Sequence, residues 1–225
     1  MDSMRVPGEG LVAGRGVHVV AGEGEGPVVG VLALQGDVLE HLRMLAAAGA
    51  RPRMVKRPAD LEGLDGLLLP GGESTTIGKL AEMYGLLEPL RKRIADGLPA
   101  FGTCAGAILL GRAALRADGT PTEQPLIGAI DIVTRRNAFG RQVASFEADL
   151  EVAGVEGPVH AVFIRAPWVE EHGPQVEVLA AAPTPLGDKV VVARQGRVLV
   201  CAFHPELTTD GRLHRLFVGM VAGQS

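Results

Sequence analysis

An unbroken apolar run at Val28–Leu34, followed directly by a segment with helical spacing, is the feature that most constrains the fold of this chain. A run without polar alternation is typical of a strand that is buried on both faces of a sheet. After this run, Val38, Leu42 and Leu45 share one helical face, and Asp37 is placed to cap the helix. A buried strand that leads straight into a helix predicts the βαβ unit of an α/β protein.

The alternation of strand and helix continues to about residue 116. It predicts a mostly parallel central sheet flanked by helices, because parallel strands need crossover connections of this kind. The predicted elements are strands at Arg53–Lys56 and Leu64–Leu69, a helix at Thr76–Gly97, a strand at Pro99–Thr103, and a helix from Ala105 to about Arg116.

The second half of the chain favours strands over helices, and it predicts an antiparallel extension of the sheet. Gln195-Gly196 is typical of a hairpin turn, and Arg212–Val221 is predicted to be a closing helix. The predicted strands are Ile127–Arg135, Phe146–Val152, His160–Ile164, Val176–Ala181 and Lys189–Phe203.

Residues 1–26 differ from the rest of the chain because they are rich in glycine and show no sustained hydrophobic period. Ordering such a segment without packed side chains would cost too much conformational entropy. We therefore expect residues 1–26 to be a flexible N-terminal extension. Residues 27–225 are expected to form a single domain, since their number suits one α/β core.

Composition argues against several classes of function. The 22 Lys and Arg against 26 Asp and Glu give a formal net charge of −4, so no basic field favours nucleic acid as a partner. No stretch approaches the roughly 20 apolar residues of a membrane span, so no membrane partner is expected. Two cysteines are too few for a disulfide framework, which favours a reducing, cytoplasmic setting.

The segment Phe101–Gly106 predicts a nucleophile. A short strand ends in Gly-Thr-Cys-Ala-Gly and runs into an apolar helix, which is the cysteine form of the nucleophile elbow. The flanking glycines allow a sharp turn, and the helix N-terminus favours a thiolate at Cys104. The N–H of Ala105 is placed to stabilise an oxyanion. Cys201 lies inside an apolar strand and is interpreted as a core residue.

His204 is the candidate general base, at the end of a hydrophobic strand in Phe203-His204-Pro205-Glu206. Pro205 disfavours helix at His204, so the chain is expected to leave the sheet in an extended form. Residues i and i+2 share one side of an extended chain, which would place the Glu206 carboxylate beside the imidazole. A nucleophile, a base and a carboxylate that orients the base make up a catalytic triad.

The other histidines are weaker candidates for the base. None has a carboxylate partner at the same spacing at a strand end, and each is interpreted as a surface or internally satisfied residue. The first of them on a predicted helix, His41, is expected to be exposed. These histidines are His18, His41, His160, His172 and His214.

The segment Pro70–Thr76 joins a buried strand to a helix through a Gly-Gly pair. Paired glycines allow the backbone to approach a ligand and to aim N–H groups at a developing negative charge, so the Gly71-Gly72 loop offers a second candidate oxyanion donor. Ser74, Thr75 or Thr76 is expected to cap the helix. A purely structural connection is the alternative for this loop taken alone. Its expected position at the same sheet end as the nucleophile favours a functional role.

Metal and phosphate sites are not predicted. The sequence has no Cys-x-x-Cys, no His-x-x-x-His and no carboxylate cluster at ligand spacing. The glycine loop lacks both the spaced glycines and the Gly-Lys-Ser/Thr ending of a phosphate loop.

Taken together, these motifs resemble the class I (triad) glutamine amidotransferases, which implies a flavodoxin-like fold. Longer strings from about Val28 to Val221 are similar, in the same order, to the glutaminase subunits of the two-protein pyridoxal 5′-phosphate synthase. The strings are Leu34–Asp37 with His41, Pro70–Thr76, Phe101–Gly106, Arg136–Gln142, Ser145–Leu150, Phe163–Pro167 and Phe203–Leu207.

The resemblance implies a role for each matching residue. It makes Cys104 the nucleophile, with His204 and Glu206 as the other members of the triad. It makes Gly72 and Ala105 the oxyanion hole. The residues that it implies for binding L-glutamine are Gly72, Glu73, Ser74, Arg136, Ile164 and Arg165.

The resemblance also implies a reaction and a partner. The chain would hydrolyse L-glutamine to L-glutamate and ammonia and pass the ammonia to a PdxS-type synthase subunit, in a large hetero-oligomer on which its activity depends. Pyridoxal 5′-phosphate would be the product of the complex, so no cofactor and no Schiff-base lysine are expected in this chain. The helix residues Lys79, Glu82, Tyr84 and Arg91 fit either a docking face or a solvated face.

Two other functions are compatible with parts of the sequence. The chain could be the glutaminase subunit of a different amidotransferase pathway, since triad motifs are shared among these enzymes. The strings at Arg136–Gln142 and Ser145–Leu150 argue against this alternative. The chain could also be a catalytically silent regulatory module, but the presence of Cys104, His204 and Glu206 argues against that reading.

Overall fold

The structure is a computed structural model that describes residues 25–138, 145–184 and 187–224. A ten-stranded sheet forms the centre, helices cover both of its faces, and a second sheet has two strands. The strands are β1 Val28–Leu32, β2 Arg51–Val55, β3 Gly66–Leu69, β4 Ala100–Thr103, β5 Gly111–Leu115, β6 Ile130–Arg135, β7 Ser145–Leu150, β8 Val159–Ile164, β9 Trp168–His172, β10 Glu177–Ala182, β11 Lys189–Gln195 and β12 Val198–Cys201. The helices are α1 Val38–Ala47, α2 Ser74–Met83, α3 Leu87–Ala95, α4 Ala105–Leu110 and α5 Arg212–Val221.

The strand order confirms the predicted mixture of a parallel sheet and an antiparallel extension. The main sheet runs β2-β1-β3-β4-β12-β11-β9-β6-β5, with β10 paired to β11, while β7 and β8 form the small sheet. Strands β2, β1, β3, β4 and β12 are parallel neighbours, and β11, β9 and β6 continue in antiparallel pairs. The carboxyl ends of β3, β4 and β12 therefore meet at one edge, where open α/β sheets bind ligands.

The hydrophobic core lies on both faces of the sheet. Side chains of consecutive strand residues point to opposite faces, so Leu67 and Leu69 pack under α2, α3 and α4 while Leu68 packs under α1 and α5. All three leucines are fully buried. This two-sided burial explains why the parallel strands read as continuous apolar runs.

The helix predicted at Thr76–Gly97 is two helices, so the prediction of one is wrong. Helix α2 ends at Met83, and Gly85 adopts a φ of 67°. The N–H groups of Gly85 and Leu86 return to the carbonyls of Glu82 and Ala81, at 3.0 and 2.7 Å. Glycine in the left-handed region ends the helix in this way, and α3 begins at the next turn.

Helix α4 is shorter than predicted because Gly111–Leu115 forms strand β5 instead of two further helical turns. Gly111 is extended, with φ of −64° and ψ of 156°, and the strand pairs in parallel with β6. Long-range pairing therefore overrides the local helical preference. Strand β9 was absent from the predicted elements. The hairpin turn at Gln195-Gly196 and the closing helix Arg212–Val221 are confirmed.

Asp37 stands at the N-terminus of α1 but makes no capping hydrogen bond, so its predicted role is wrong. Its carboxylate lies 3.6 Å from the Nδ1 of His204. The predicted N-terminal extension falls largely outside the described residues. Within residues 25–138, 145–184 and 187–224, no helix has the length and apolar character required to cross a bilayer.

Candidate active site

Cys104 occupies a strained turn between β4 and α4, with φ of 46° and ψ of −102°. Positive φ is uncommon for a residue with a side chain and is maintained only where surrounding contacts enforce it. A β-carbon on Gly106 would lie 2.0 Å from the carbonyl oxygen of Leu69, and one on Gly102 would lie 2.5 Å from the backbone of Gly106. The Cys104 N–H donates to the carbonyl of Cys201 at 2.8 Å. The two glycines therefore allow the backbone of the elbow to pack closely, and the hydrogen bond of Cys104 connects the elbow to strand β12.

His204 follows β12, which lies beside β4 in the sheet. Its backbone N–H donates to the carbonyl of Val162 at 2.9 Å, and its Nδ1 donates to Oε1 of Glu206 at 2.7 Å. The chain forms a 3₁₀ turn at Pro205–Leu207, so the predicted extended backbone is wrong. The fixed φ of proline suits the first position of such a turn. The turn still brings the carboxylate to the imidazole.

The charges of the site favour a protonated His204. Burial acts to lower the pKa of His204, but hydrogen bonds to Cys104 and Glu206 outweigh burial and raise it to about 10. Burial raises the pKa of Glu206, and the hydrogen bond from His204 opposes that shift. Burial also raises the pKa of Cys201 well above its usual value. An imidazolium beside Cys104 stabilises the thiolate, which is the nucleophilic form.

A cavity of about 350 Å³ opens beside Cys104. Three non-glycine residues of the described chain have positive φ, namely Cys104, Asn137 and Arg165, and all three line this cavity. Strained backbone clusters at functional sites, so this cavity is the candidate substrate site. The predicted site residues at its wall are Gly72, Glu73, Ser74, Cys104, Arg136, Ile164, Arg165 and His204.

The guanidinium of Arg136 is held in place by three protein groups. Its Nη2 donates to Oε1 of Glu73 at 2.6 Å, and its Nη1 donates to Oγ1 of Thr75 at 2.9 Å and Oε1 of Gln124 at 2.8 Å. Burial acts to raise the pKa of Glu73, but hydrogen bonds from Thr76 and Thr75 and the charge of Arg136 lower it to about 2. An ionised carboxylate and a fixed guanidinium therefore stand together at the cavity wall.

Helix α2 is capped by Glu73, whose carboxylate accepts the N–H groups of Thr75 and Thr76 at 3.1 and 2.7 Å. The predicted hydroxyl cap is therefore wrong. A carboxylate at this position also complements the positive end of the helix. The Ser74 hydroxyl is buried and donates to Oε1 of Gln124 at 3.2 Å.

The two candidate oxyanion donors lie on adjacent segments. Gly72 adopts a φ of 143°, and a β-carbon there would lie 2.5 Å from Oε1 of Gln35. The same Gln35 oxygen accepts the N–H of Glu73 at 2.8 Å, which fixes the loop. Ala105 is the first residue of α4, where a backbone N–H has no acceptor within its own helix.

Ile164 and Arg165 form the wall of the cavity that faces solvent. Ile164 ends β8 and is 38% exposed, and Arg165 follows it with a φ of 44°. The N–H of Ala138 donates to the carbonyl of Ala166 at 3.1 Å, which joins this segment to the loop that carries Arg136. Residues 139–142 of the string that begins at Arg136 lie outside the described residues.

His41 is fully buried, so the prediction of an exposed side chain is wrong. It shares the helical face of Val38, Leu42 and Leu45, a spacing that could have revealed its burial from the sequence. Gln35, Asp37, Asn137 and Gln124 were also missed as parts of the site. Gln124 lies between β5 and β6, where no periodicity marks it.

Two clusters of charged side chains join residues from different elements, so the spacing of residues within one segment does not predict them. Asp37, His204 and Glu206 bring potential ligand atoms within 4.8 Å of one another, although His204 Nδ1 is already hydrogen-bonded to Glu206. His160 donates to Asp149 at 2.8 Å and Glu147 at 3.0 Å on the neighbouring strand. His160 is thus satisfied at the surface, away from the cavity.

A curled α/β sheet with a cysteine elbow on one strand and a histidine–glutamate pair after the next defines the class of enzymes with a cysteine triad. The sequence profile described as the SNO glutamine amidotransferase family matches residues 31–223, and the chain belongs to this family.

Full-length relatives and a solved structure agree with that assignment. The protein named pyridoxal 5′-phosphate synthase subunit PdxT of Frankia alni is 61% identical over 197 residues, covering 87% of this chain and 96% of the relative. Its counterpart of the same name in Frankia casuarinae gives the same identity and coverage. A crystal structure described as glutamine amidotransferase matches with a TM-score of 0.79 and 53% identity, over 86% of this chain and 98% of its own.

Proposed function

We propose that this chain hydrolyses the side-chain amide of L-glutamine to L-glutamate and ammonia, with Cys104 as the nucleophile. One observation carries the proposal: a strained cysteine opens onto a cavity and is hydrogen-bonded to His204, whose Nδ1 lies 2.7 Å from Glu206. Membership of the glutamine amidotransferase family supports glutamine as the substrate.

The cavity wall suits both charges of the glutamine backbone. The Arg136 guanidinium is placed to receive the α-carboxylate, and the ionised Glu73 is placed to receive the α-ammonium group. Gly72 and Ser74 continue the same wall, and Ile164 and Arg165 close the opposite one. The side-chain amide then extends toward Cys104.

The triad supplies the chemistry in two steps. The Cys104 thiolate attacks the amide carbon, and the N–H groups of Gly72 and Ala105 stabilise the oxyanion. His204 donates its proton to the leaving nitrogen, which departs as ammonia and leaves a thioester. His204 then takes a proton from water, the hydroxide attacks the thioester, and L-glutamate is released. Glu206 stabilises the imidazolium and fixes which nitrogen faces the thiol.

We propose that the ammonia passes to a PdxS-type synthase subunit for the synthesis of pyridoxal 5′-phosphate. The relatives named PdxT support this destination at 61% identity over nearly their full length. In that case pyridoxal 5′-phosphate is a product of the complex and no cofactor of this chain. Residues 27–225 act as one amidotransferase domain, for which the family match over residues 31–223 is the support. The proposed location is the cytoplasm.

A glutamate-release assay with the PdxS-type synthase present tests the reaction. Cys104→Ala is expected to abolish release, while Cys201→Ala is the matched control because the Cys201 side chain does not line the cavity. Equal rates for wild type and Cys104→Ala would refute the nucleophile. Omitting the synthase is expected to leave little activity. A fast reaction by the chain alone would contradict that dependence.

Genetic complementation tests the destination of the ammonia. In a vitamin B6 auxotroph that lacks its own glutaminase subunit but carries the PdxS-type synthase, the wild-type chain is expected to restore growth without added vitamin. Cys104→Ala is expected to fail. Failure of the wild-type chain, expressed and active in glutamate release, would favour a different amidotransferase pathway.

A further inference from the structure

A row of buried side chains continues from the triad into the core. Oε2 of Glu206 lies 3.4 Å from Nε2 of His41, and Nδ1 of His41 lies 3.0 Å from Nε2 of His214. His41 comes from α1, His214 from α5 and Glu206 from the 3₁₀ turn after β12. Both histidines are 0% exposed. The mechanism described above uses neither of them.

The far oxygen of Glu206 needs a donor. Its Oε1 accepts from His204, whereas its Oε2 is buried and has no hydrogen-bond partner among the described residues. A buried carboxylate oxygen without a donor costs free energy and favours protonation of the acid. Burial already raises the pKa of Glu206, and the nearby charge of Asp37 adds to the rise. A protonated Glu206 could not stabilise the imidazolium of His204.

The positions of the ring nitrogens select one proton arrangement. If His214 carries its proton on Nε2, it donates to Nδ1 of His41, and His41 Nε2–H then points between Thr103 Oγ1 at 3.1 Å and Glu206 Oε2. In the opposite arrangement His41 carries its proton on Nδ1 and donates to Nε2 of His214. The lone pair on Nε2 of His41 then points at the carboxylate of Glu206. This arrangement also leaves a buried N–H at Nδ1 of His214, which has no partner among the described residues.

We propose that His41, with its tautomer fixed by His214, is a positioning residue that donates to Oε2 of Glu206 and keeps this carboxylate ionised and aimed at His204. The inference rests on the proposed triad chemistry. Its geometric basis is the row of contacts at 2.7, 3.4 and 3.0 Å that joins His204 to His214. Catalytic hydrogen bonds are often long before substrate binds and shorten in the substrate complex, and we expect the 3.4 Å contact to shorten in this way.

The surroundings keep both histidines neutral donors. Burial lowers the pKa of His41 well below its usual value, and the charges that His214 and His204 carry when protonated lower it further. Burial lowers the pKa of His214 to about 4, although the carboxylate of Asp210 opposes the shift. Phe101 packs edge-on against His214 at 5.9 Å.

Four further polar or titratable groups act on this row, and they come from different elements. Asp37 lies before α1, Thr103 ends β4, and Asp210 precedes α5. The charges of Glu206 and Cys104 also act on the buried thiol of Cys201 in β12 and help to raise its pKa. The charges of these groups contribute equally in wild type and in the His41 variants, so a difference between their thiolate titrations reports on His41.

The test is a pH titration of the Cys104 thiolate in the full-length chain, followed by absorbance near 240 nm with Cys104→Ser as the blank. His41→Leu keeps the volume and removes the donor, whereas His41→Gln returns an N–H near the position of Nε2. Loss of the donor favours neutral Glu206, so the thiolate is expected to form at higher pH, with a midpoint raised by about one unit. His41→Gln is expected to restore the wild-type midpoint.

Steady-state kinetics with the synthase give a second readout. His41→Leu is expected to lower kcat for glutamate release about tenfold near neutral pH, with KM for glutamine unchanged, because neither His41 nor His214 lines the cavity. A side chain that only stabilised the fold would lower the amount of active protein at every pH and leave the midpoint in place. A folded His41→Leu with the wild-type midpoint, or a folded His41→Gln that behaves like His41→Leu, would overturn the proposal.

His214→Phe provides the test if His41→Leu does not fold. It keeps an aromatic ring beside Phe101 and removes the donor that fixes the tautomer of His41. The midpoint is expected to rise in the same direction by a smaller amount, and an unchanged midpoint would overturn the proposal. If wild type releases no glutamate with the synthase present, the proposed glutaminase activity fails, whereas the thiolate titration still decides the role of His41.

Discussion

The α-carbon of Gly71 faces the imidazole of His204 so closely that a β-carbon at position 71 would lie 2.5 Å from Cε1 and 2.9 Å from Nδ1 of the ring. The φ of Gly71 is not in the left-handed region, so the position requires glycine because of this contact and not because of backbone conformation. The loop that carries Gly72, the candidate oxyanion donor, therefore also restricts the movement of the His204 imidazole.

Gly71→Ala is expected to displace the imidazole and lower kcat for glutamate release roughly 100-fold, as for other displacements of about 1 Å at a reacting group. Thermal unfolding followed by circular dichroism separates this effect from a loss of fold. Gly219→Ala is the matched control, since a β-carbon there meets nothing within 4 Å and alanine favours helix α5. Wild-type activity in Gly71→Ala would show that the ring moves freely.

Alkylation is expected to distinguish the two cysteines of the chain. Brief treatment of the folded protein with iodoacetamide should modify Cys104 and leave Cys201 unmodified, because the Cys201 thiol is fully buried and burial raises its pKa. Peptide mass mapping identifies the modified residue. Both cysteines should react in urea, which serves as the control. Preferential labelling of Cys201 in the folded chain would contradict the assignment.

Arg136→Lys is expected to raise KM for glutamine about 10- to 100-fold, since lysine keeps the charge but loses a charge-assisted hydrogen bond of roughly 1.5–3 kcal/mol. Initial rates against glutamine concentration measure the change. The neighbouring Arg135 provides the control, because it pairs with Glu170 at 2.9 and 3.0 Å and does not line the cavity. Equal KM values in Arg135→Lys and Arg136→Lys would remove Arg136 from the substrate site.

The buried His214 is expected to make the fold sensitive to acid. Its pKa falls from 6.5 to about 4 because of burial, so the unfolded chain binds more protons than the folded chain between these values. The contribution of His214 to the free energy of unfolding should therefore be constant above about pH 6.5 and fall as the pH drops toward 4, by about 3 kcal/mol.

Urea denaturation at pH 7.5, 5.5 and 4.5 measures this fall. His214→Phe should show a shallower dependence on pH than wild type, whereas His172→Asn, at an exposed position, should keep the wild-type dependence. An identical dependence in wild type and His214→Phe would assign the acid sensitivity to other groups.

The parts of the fold that local pattern determines were predictable. Two-sided burial of the parallel strands produces the apolar runs of β1 and β3, and the glycines beside Cys104 predict the elbow. The hairpin at Gln195-Gly196 and helix α5 follow in the same way from turn chemistry and helical period. In each case the residue types needed by the structure lie next to one another in the chain.

The parts that depend on distant contacts were not predictable. Strand β5 forms because β6 pairs with it, although its sequence continues a helical pattern. The capping role of Glu73 depends on the same carboxylate that pairs with Arg136, which comes from a different loop. His41 meets His214 of α5, which lies 173 residues further along the chain. The spacing of residues within one segment does not reveal partners that come from distant parts of the chain.

The adjacency of β4 and β12 has a consequence for the order of events during synthesis. The ribosome completes the elbow at Cys104 about 100 residues before His204, an interval of roughly 5–20 s at typical elongation rates. Throughout that interval the growing polypeptide carries a thiol that has no imidazole beside it. The enzyme therefore completes its triad only when β12 docks beside β4, and an unfinished chain lacks the imidazolium that stabilises the thiolate.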